Sequence, residues 1–159
     1  MATVYVTRRG IEILNQRVAE AFAKLKHTQR QKAEAADVGG DNWHDNFAFE
    51  DLLRQEMMHN KQIADIRAIQ SQLTLVESPH DVDSVQIGHI ITVEDEDGVA
   101  KEFRVGGYGE TDLHMIPPRL EYGAPVISPF MGMSVGAEVE VQIKGKVTSF
   151  LLTHIRKEE

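Results

Sequence analysis

The fold depends on an eight-residue stretch that separates two long helical patterns, Gly39-Gly40-Asp41-Asn42-Trp43-His44-Asp45-Asn46. Its two glycines favour the end of a helix, because glycine adopts the left-handed conformation of a C-terminal cap at little cost. A plain connection between helices needs only a turn. This one gathers two acids, two amides and the only Trp of the chain. We therefore expect an acidic functional tip at residues 39–46.

The residues before this stretch predict one long helix. Val4-Tyr5-Val6 is a short extended segment, and Thr7 after it offers an N-cap hydroxyl. Apolar residues then recur every three or four positions, which is the spacing of one helix face. They are Ile11, Leu14, Val18, Phe22 (or Ala21) and Leu25.

The residues after the stretch predict a second helix, ended by Ser78-Pro79. Its apolar residues show the same spacing, and Met57 and Met58 are expected to pack within the helix pair. Two helices of about 30 residues joined by a short loop form an antiparallel hairpin roughly 45 Å long. Because each apolar stripe is narrow, we expect this hairpin to project as an arm, with its tip far from any core.

A β-rich domain is predicted for residues 80–159, after a helical hairpin domain at residues 1–79. β-branched residues favour a strand at 85–93 and a partner at 101–105, and two more strands at 138–143 and 147–155. The predicted fold class is therefore α+β, with an N-terminal antiparallel two-helix coiled-coil hairpin followed by a mostly antiparallel β domain.

Composition and charge narrow the class of protein. The chain has no Cys, which excludes disulfides and thiolate metal sites. No run approaches the roughly 18 apolar residues of a membrane span, so a cytoplasmic protein without a membrane partner is expected. The net charge of -8 argues against a general nucleic-acid coat. Residues 1–36 hold seven Lys/Arg against three acids, whereas residues 37–51 hold five acids and no base.

Three motifs, met in order, resemble the bacterial GreA/GreB transcript-cleavage factor family over nearly the whole chain. Thr7-Arg8-Arg9-Gly10 is similar to T-x-x-G at the start of the family's first helix. Gly40-Asp41 followed by Asp45-Asn46 and Phe49 resembles the family tip, G-D-x-x-E-N-x-x-Y. Residues 124–139 lie along S-P-L-G-R-A-L-L-G-K-K-V-G-D-E-V, with identities at Pro125, Gly132, Val135, Gly136, Glu138 and Val139.

The resemblance implies a C-terminal domain of FKBP-like fold and an accessory factor of RNA polymerase, not an enzyme in its own right. In the family, the β domain docks at the rim of the polymerase secondary channel, and the coiled coil enters that channel. The tip acids help to hold the second catalytic Mg²⁺ and to orient the water that hydrolyses backtracked RNA. By this resemblance Asp41 and Asp45 assist catalysis and share the Mg²⁺ of the polymerase, and nascent backtracked RNA is an indirect partner.

No metal or cofactor is expected to bind the isolated protein stably, since two carboxylates leave most Mg²⁺ ligand positions unfilled. One His beside two Asp is also a poor zinc site, so His44 is not expected to bind a metal.

Partner-binding residues are predicted on both domains. They are Asn42, Trp43, His44 and Asn46 at the tip, and Ser128, Pro129 and Phe130 in the β domain. Some of the tip residues also have a structural alternative. Asp41, Asp45 and Asn46 could instead cap the second helix, and Trp43 could pack on the last turn of the hairpin.

The tip also departs from the family pattern. Asp41 and Asp45 are four residues apart where the family's two acids are three apart, and a gap-free alignment puts Asn42 in the place of the first acid. Trp43 and His44 also place bulky side chains where the family tip is usually slim and polar. These differences leave open a second function, in which the protein occupies the channel and inhibits or competes without stimulating cleavage. Two remoter alternatives are a peptidyl-prolyl isomerase, suggested by the FKBP-like fold, and a coiled-coil adaptor unconnected with transcription.

Overall fold

The chain divides into two compact units in a computed structural model that describes residues 3–38 and 47–159. Unit 1 is helical and spans residues 12–73. Unit 2 is rich in β structure and joins residues 3–11 to residues 74–159. Residues 3–11 and 74–79, which the sequence places in the helical domain, therefore lie in unit 2.

Two helices form the hairpin, α1 (Arg8–Val38) and α2 (Phe47–Gln70). Their 31 and 24 residues correspond to lengths of about 46 and 36 Å. The second helix is shorter than predicted, because it ends at Gln70 and is followed by the short strand β2 (Leu73–Leu75) instead of continuing to Ser78-Pro79. Within the described residues, no helix combines the length and the apolar character that crossing a membrane requires.

Contacts across unit 1 show that α1 and α2 run antiparallel, which confirms the predicted hairpin. As α1 advances, its partners on α2 come earlier in the chain: Asn15 pairs with Gln70, Leu25 packs with Ile63 and Lys32 pairs with Glu56. A small apolar cluster holds the middle of the pair and consists of Ala21, Leu25 and Ile63, with Phe22 against it. The Arg67 guanidinium lies 5.1 Å from the centre of the Phe22 ring, a cation–π contact.

The prediction that Met57 and Met58 pack within the helix pair is wrong, because both side chains are largely exposed, by 72% and 66%. The partly or fully buried positions of α2 instead include Leu52, Glu56, His59, Ile63 and Ile66. These spacings of three and four keep one face of α2 toward α1. The interface between α1 and α2 therefore includes an acid and a His, which an apolar pattern alone does not identify.

Unit 2 is built on a five-stranded sheet. Its strands are β3 (His89–Glu94), β4 (Ala100–Gly106), β5 (Arg119–Glu121), β6 (Glu138–Ile143) and β7 (Lys146–Lys157), in the spatial order β5-β4-β3-β7-β6. Neighbouring strands are antiparallel except β4 and β5, which are parallel. A separate two-stranded sheet pairs β1 (Val4–Val6) with β2. The predicted α+β class and its four main strands are confirmed, whereas β5 was not predicted.

One face of the five-stranded sheet carries the core of unit 2. Along β6 the pattern alternates, with Val139 and Val141 buried and Glu138 and Glu140 exposed, as expected for a strand with one solvated face. The burial of apolar side chains is the main favourable term in folding. Fully or nearly fully buried members of this core include Val85, Ile91, Val93, Val105, Ile127, Phe130, Val141 and Leu152.

A buried polar network ties residues 3–11 to this sheet. The carboxylate of Glu110 is only 5% exposed, and its two oxygens accept the Thr7 hydroxyl at 2.7 Å and the Gly107 N–H at 2.5 Å. Thr7 Oγ1 in turn accepts the Gly10 N–H at 3.2 Å, so Thr7 is the N-cap of α1, as predicted.

Two glycines permit this close approach. A Cβ atom at Gly10 would lie 2.5 Å from Cγ2 of Val6. At Gly107 it would lie 2.9 Å from Oε2 of Glu110 and 3.2 Å from the backbone nitrogen of Thr7. The Thr-x-x-Gly motif therefore has a structural basis, since it supplies both a cap and a position without a side chain.

We predict that Gly107→Ala lowers the free energy of unfolding by about 1–3 kcal/mol, because the added methyl group overpacks a site already filled by a carboxylate and a backbone nitrogen. Thermal denaturation followed by circular dichroism measures the change. Gly123→Ala is the matched control, because a Cβ atom there meets nothing within 4 Å. Equal melting temperatures for the two variants would contradict this account of the network.

Candidate functional site

The predicted tip, residues 39–46, lies outside the described residues. Asp41 and Asp45 belong to it, together with Asn42, Trp43, His44 and Asn46, so the roles of all six remain predictions. The structure does describe what the tip connects. The described part of α1 runs to Val38 and that of α2 begins at Phe47, and contacts farther along the two helices show that they are antiparallel.

The charges of the hairpin follow the pattern seen in the sequence. Most basic side chains of α1 are exposed, and these are Arg8, Arg9, Arg17, Lys24, Lys26 and Arg30. The first turn of α2 carries Glu50, which is exposed, and Asp51 follows and accepts the Gln55 side-chain amide at 2.9 Å. Acids at the start of a helix interact favourably with its dipole. The hairpin therefore presents a basic α1 beside an acidic start of α2.

Glu56 makes the polar contact that links the two helices on the tip side of the apolar cluster. Its Oε2 lies 2.5 Å from Lys32 Nζ, and its Oε1 accepts the Gln29 side-chain amide at 3.4 Å. These hydrogen bonds, first from Lys32 and then from Gln29, hold the pKa of the Glu56 carboxyl below its usual value of 4.5. The contact is therefore formed by the ionised carboxylate and weakens when that group is protonated.

We predict that Lys32→Met raises the pKa of Glu56 toward its ordinary value, as measured by an NMR pH titration of its side-chain carboxyl. The sign follows from linkage: a lowered folded-state pKa gives stability that is present above about pH 4.5 and is lost as pH falls through the folded-state value. Lys24→Met, at an exposed position of the same helix, is the control. If Glu56 titrated identically in the Lys32 variant and the control, the contact would not exist in solution.

The second predicted partner-binding segment, Ser128 to Phe130, is a short 3₁₀ helix in unit 2. Ser128 is exposed and Pro129 is partly buried. Phe130 is fully buried, and its ring meets that of Phe150 edge-on at 6.4 Å between centroids. Phe130 therefore cannot contact a partner as predicted, because its side chain fills the core. Ser128 and Pro129 remain the predicted contacts here.

A cavity of about 670 Å³ lies within unit 2. Its most buried charged member is Arg119, whose NH2 pairs with Oε1 of Glu158, and Arg104 NH1 donates to the same oxygen at 2.9 Å. No Phe, Tyr or Trp lines this cavity, which is walled by charged and aliphatic side chains. A prolyl-isomerase site needs an aromatic-lined apolar pocket, so this cavity lacks the chemistry for that alternative.

His89 is completely buried and has a structural role. Its Nδ1 accepts the Gln86 N–H at 3.0 Å, and its Nε2 donates to the Asp81 carbonyl at 2.8 Å. Both ring nitrogens are therefore occupied. Across residues 3–38 and 47–159, no group of three or more His, Cys, Asp or Glu side chains is arranged to hold a metal ion.

One exposed feature of unit 2 was missed in the sequence. The 111–118 loop carries Leu113 and Ile116, which are 67% and 93% exposed. The available signal was an apolar run, Leu113-His114-Met115-Ile116, bounded by an acid and by two prolines and without the alternation of a strand. Such a run in an irregular connection indicates a surface whose apolar side chains are held in solvent.

The comparison with known proteins gives full-length relatives at low identity. No family model matches the chain. Two curated relatives are the transcription elongation factor GreA of Rickettsia bellii, from strains OSU 85-389 and RML369-C. Each is 24% identical over 165 residues, which covers 100% of this chain and 98% of the relative.

Solved structures align over similar spans. The GreA factor homolog 1 (Gfh1) protein of Thermus thermophilus has 18% identity and a TM-score of 0.45, covering 98% of this chain and 99% of that one. The elongation factor GreA/GreB from Nitrosomonas europaea has 11% identity and a TM-score of 0.41, with 96% and 98% covered. Both TM-scores are below 0.5.

The sequence likeness to GreA spans the whole chain. The Thr7–Gly10 motif caps α1, and the tip motif lies between α1 and α2 in the chain. The third motif contributes Phe130 and Val139 to the core of unit 2. In sequence, the chain is therefore similar over its full length to the transcription elongation factor GreA.

Proposed function

We propose that this protein is a transcription elongation factor that binds RNA polymerase through its secondary channel and acts there as an accessory factor. The observation that carries the proposal is the full-length likeness to two relatives named transcription elongation factor GreA. The sequence between the two helices supports it, because it includes Asp41 and Asp45, and carboxylates are the residue type that binding of Mg²⁺ requires.

The dimensions of the hairpin suit a narrow channel. The paired part of the hairpin is limited by α2, whose 24 residues span about 36 Å. The pair is two helices wide, which is about 20 Å with side chains. A tip carried at one end of such a pair can enter a space that excludes a globular domain.

Asp41 and Asp45 are the residues that we propose act beside the polymerase Mg²⁺ during cleavage of backtracked RNA. Carboxylate oxygens are ligands that Mg²⁺ prefers, and this ion commonly keeps several ligands that a single protein does not supply. The donor set of the tip therefore fits a metal whose other ligands come from the polymerase and the RNA. A second bound metal ion stabilises the charge that develops on the attacking and leaving oxygens.

The other tip residues, Asn42, Trp43, His44 and Asn46, are proposed to contact the polymerase around the reacting centre. Ser128, which is exposed, and Pro129 are proposed to contact the rim of the channel. Phe130 has no such role in this proposal, since its side chain is buried.

A second candidate function is inhibition by occupancy of the channel. The observation that favours it is the spacing of the acids, which is one residue longer than the family pattern, with the bulky Trp43 between them. Metal ligation tolerates errors of only about 0.2 Å. A tip that binds in the channel but misplaces its carboxylates would slow elongation without cleaving RNA.

We predict that the protein shortens transcripts in stalled, backtracked elongation complexes, and that Asp41→Ala and Asp45→Ala each reduce the cleavage rate by about tenfold or more, since each removes a carboxylate from the metal. Gel analysis of end-labelled RNA measures this rate. Glu50→Ala is the matched control, because it removes an exposed acid from the first turn of α2 while leaving the tip intact.

The same assay separates the two functions. Binding to the polymerase and slower elongation without shortened RNA, even at saturating factor, would establish inhibition. Elongation should then recover with Trp43→Ala, because this change removes a bulky side chain from the tip. If the wild-type protein did not bind the polymerase at all, both proposed functions would be contradicted.

A further inference from the structure

Within the described residues, strand β6 has one hydrogen-bonding edge that no strand pairs. β6 is the last strand in the spatial order β5-β4-β3-β7-β6, so β7 occupies only one of its two edges. The other edge of such a strand presents backbone N–H and C=O groups that can pair with another chain. The free edge of β6 is therefore a surface on which a further strand can form.

The turn after β6 determines which backbone groups reach this edge. Lys144 and Gly145 have positive φ angles, of 51° and 79°, as in the two-residue turns that close β-hairpins. Ile143 and Lys146 are the closing pair, which in such a hairpin exchanges hydrogen bonds, and every second pair after it does the same. The odd-numbered residues of β6 therefore bond to β7. The even-numbered residues direct their backbone groups to the free edge, and these are Glu138, Glu140 and Gln142.

Neighbouring hydrogen bonds support this alternation. Ser149 lies opposite Glu140, yet its N–H donates at 3.3 Å to Oε1 of Glu96, which follows β3 on the other side of β7. The Leu152 N–H donates to the Ala137 carbonyl at 2.9 Å, as expected if odd-numbered residues face β7. In the described part of the chain, no turn or loop forms a backbone hydrogen bond with the three even-numbered residues. Their N–H and C=O groups therefore remain available to a partner strand.

The sequence and pairing of β6 leave its edge unprotected. Edge strands are commonly blocked by a proline, by a bulge or by a charge that points inward. β6 contains no proline, and its register with β7 is continuous from Glu138 to Ile143. Glu138 and Glu140 are exposed, whereas Val139 and Val141 belong to the core. A strand added at this edge would therefore leave both carboxylates hydrated.

We propose that β6 pairs antiparallel with β6 of a second copy of this chain, with Val141 opposite Val141 of that copy. Glu140 then lies opposite Gln142, and Glu138 lies beside Lys144 of the turn. Each pair of Glu140 with Gln142 exchanges two hydrogen bonds between free-edge groups. The five-stranded sheets of the two copies become continuous. The proposal concerns self-association and does not depend on the proposed function.

Backbone direction and charge select this register. An even-numbered residue cannot pair with an odd-numbered one, because the backbone groups of the latter already bond to β7. Of the remaining registers, two pair nearly the whole strand, one over residues 138–142 and the other over residues 139–143. The first places Glu140 opposite its own copy, and like charges directly opposite are destabilising. The second is centred on Val141 and brings Glu138 near the Lys144 ammonium, so the edge of β6 is complementary to itself.

Analytical ultracentrifugation of the full-length protein tests the pairing. We expect a monomer–dimer equilibrium with a dissociation constant of about 1–100 µM, as is typical of a small interface. Glu140→Pro should make the protein monomeric over this range, because proline removes a free-edge N–H and none of the bonds to β7. Glu140→Thr is the matched control, since it keeps the N–H and suits a strand. Its dissociation constant should stay within about twofold of the wild-type value.

An exchange of charges tests the register. Glu138→Lys and Lys144→Glu should each weaken the dimer severalfold, because each change brings like charges together. The double variant should recover the wild-type affinity, since it reverses both charges of the pair. Both positions are exposed, so the melting temperatures of these variants should stay close to that of the wild type.

A wild-type protein that stays monomeric well above the expected dissociation constant overturns the proposal, and leaves the edge to an extended segment of a different protein. A dimer that Glu140→Pro leaves intact, at an unchanged melting temperature, overturns it as well, because the contact then lies elsewhere. If the proline variant unfolds, the charge variants decide. Equal dimerisation of the wild type and both single variants overturns the proposal, whereas weakening in each and recovery in the double variant establish it.

Discussion

The carboxylate of Glu110 is the interaction on which the structure of unit 2 most depends. It is almost fully buried, and it accepts hydrogen bonds from the Thr7 hydroxyl and from the Gly107 backbone. Through Thr7 it also fixes the cap of α1. A buried carboxylate is tolerated only when its oxygens are satisfied, so the N-terminal segment and the glycine-rich segment 106–109 must fold together. The start of α1 is therefore part of the β-rich unit, although the sequence places it at the head of a helical domain.

The middle of the hairpin and the part toward the tip are held by different kinds of contact. Its middle is held by a small apolar cluster around Leu25 and Ile63, whereas toward the tip the described contact is the charged pair of Lys32 and Glu56. Ion pairs between partly exposed side chains contribute little to stability. The proposed function requires the end of the hairpin beyond this pair to operate within another enzyme.

Much of the fold was predictable because its signals are local. Apolar spacing and capping residues gave both helices, and β-branched runs gave four strands. The failures have physical causes. Met57 and Met58 were assigned to the helix interface by hydrophobicity, yet His59 and Glu56 occupy it. Strand β5 is three residues long and pairs in parallel with β4, a non-local contact that no local pattern specifies. The family motif at residues 124–139 places Phe130 among the surface contacts, but its side chain is buried in the core of unit 2. The roles of the tip acids stay predictions, which rest on the residue types and the family resemblance.

Residues 39–46 are proposed to work inside RNA polymerase, and site-specific photocross-linking tests this proposal. A photoreactive amino acid is placed at position 43, in the middle of the tip, and the factor is irradiated with a backtracked elongation complex. The cross-linked polymerase peptides are then identified by mass spectrometry. We expect cross-links to polymerase residues that line the secondary channel close to the catalytic centre. Cross-links confined to the outer surface of the polymerase, or none at all, would contradict it.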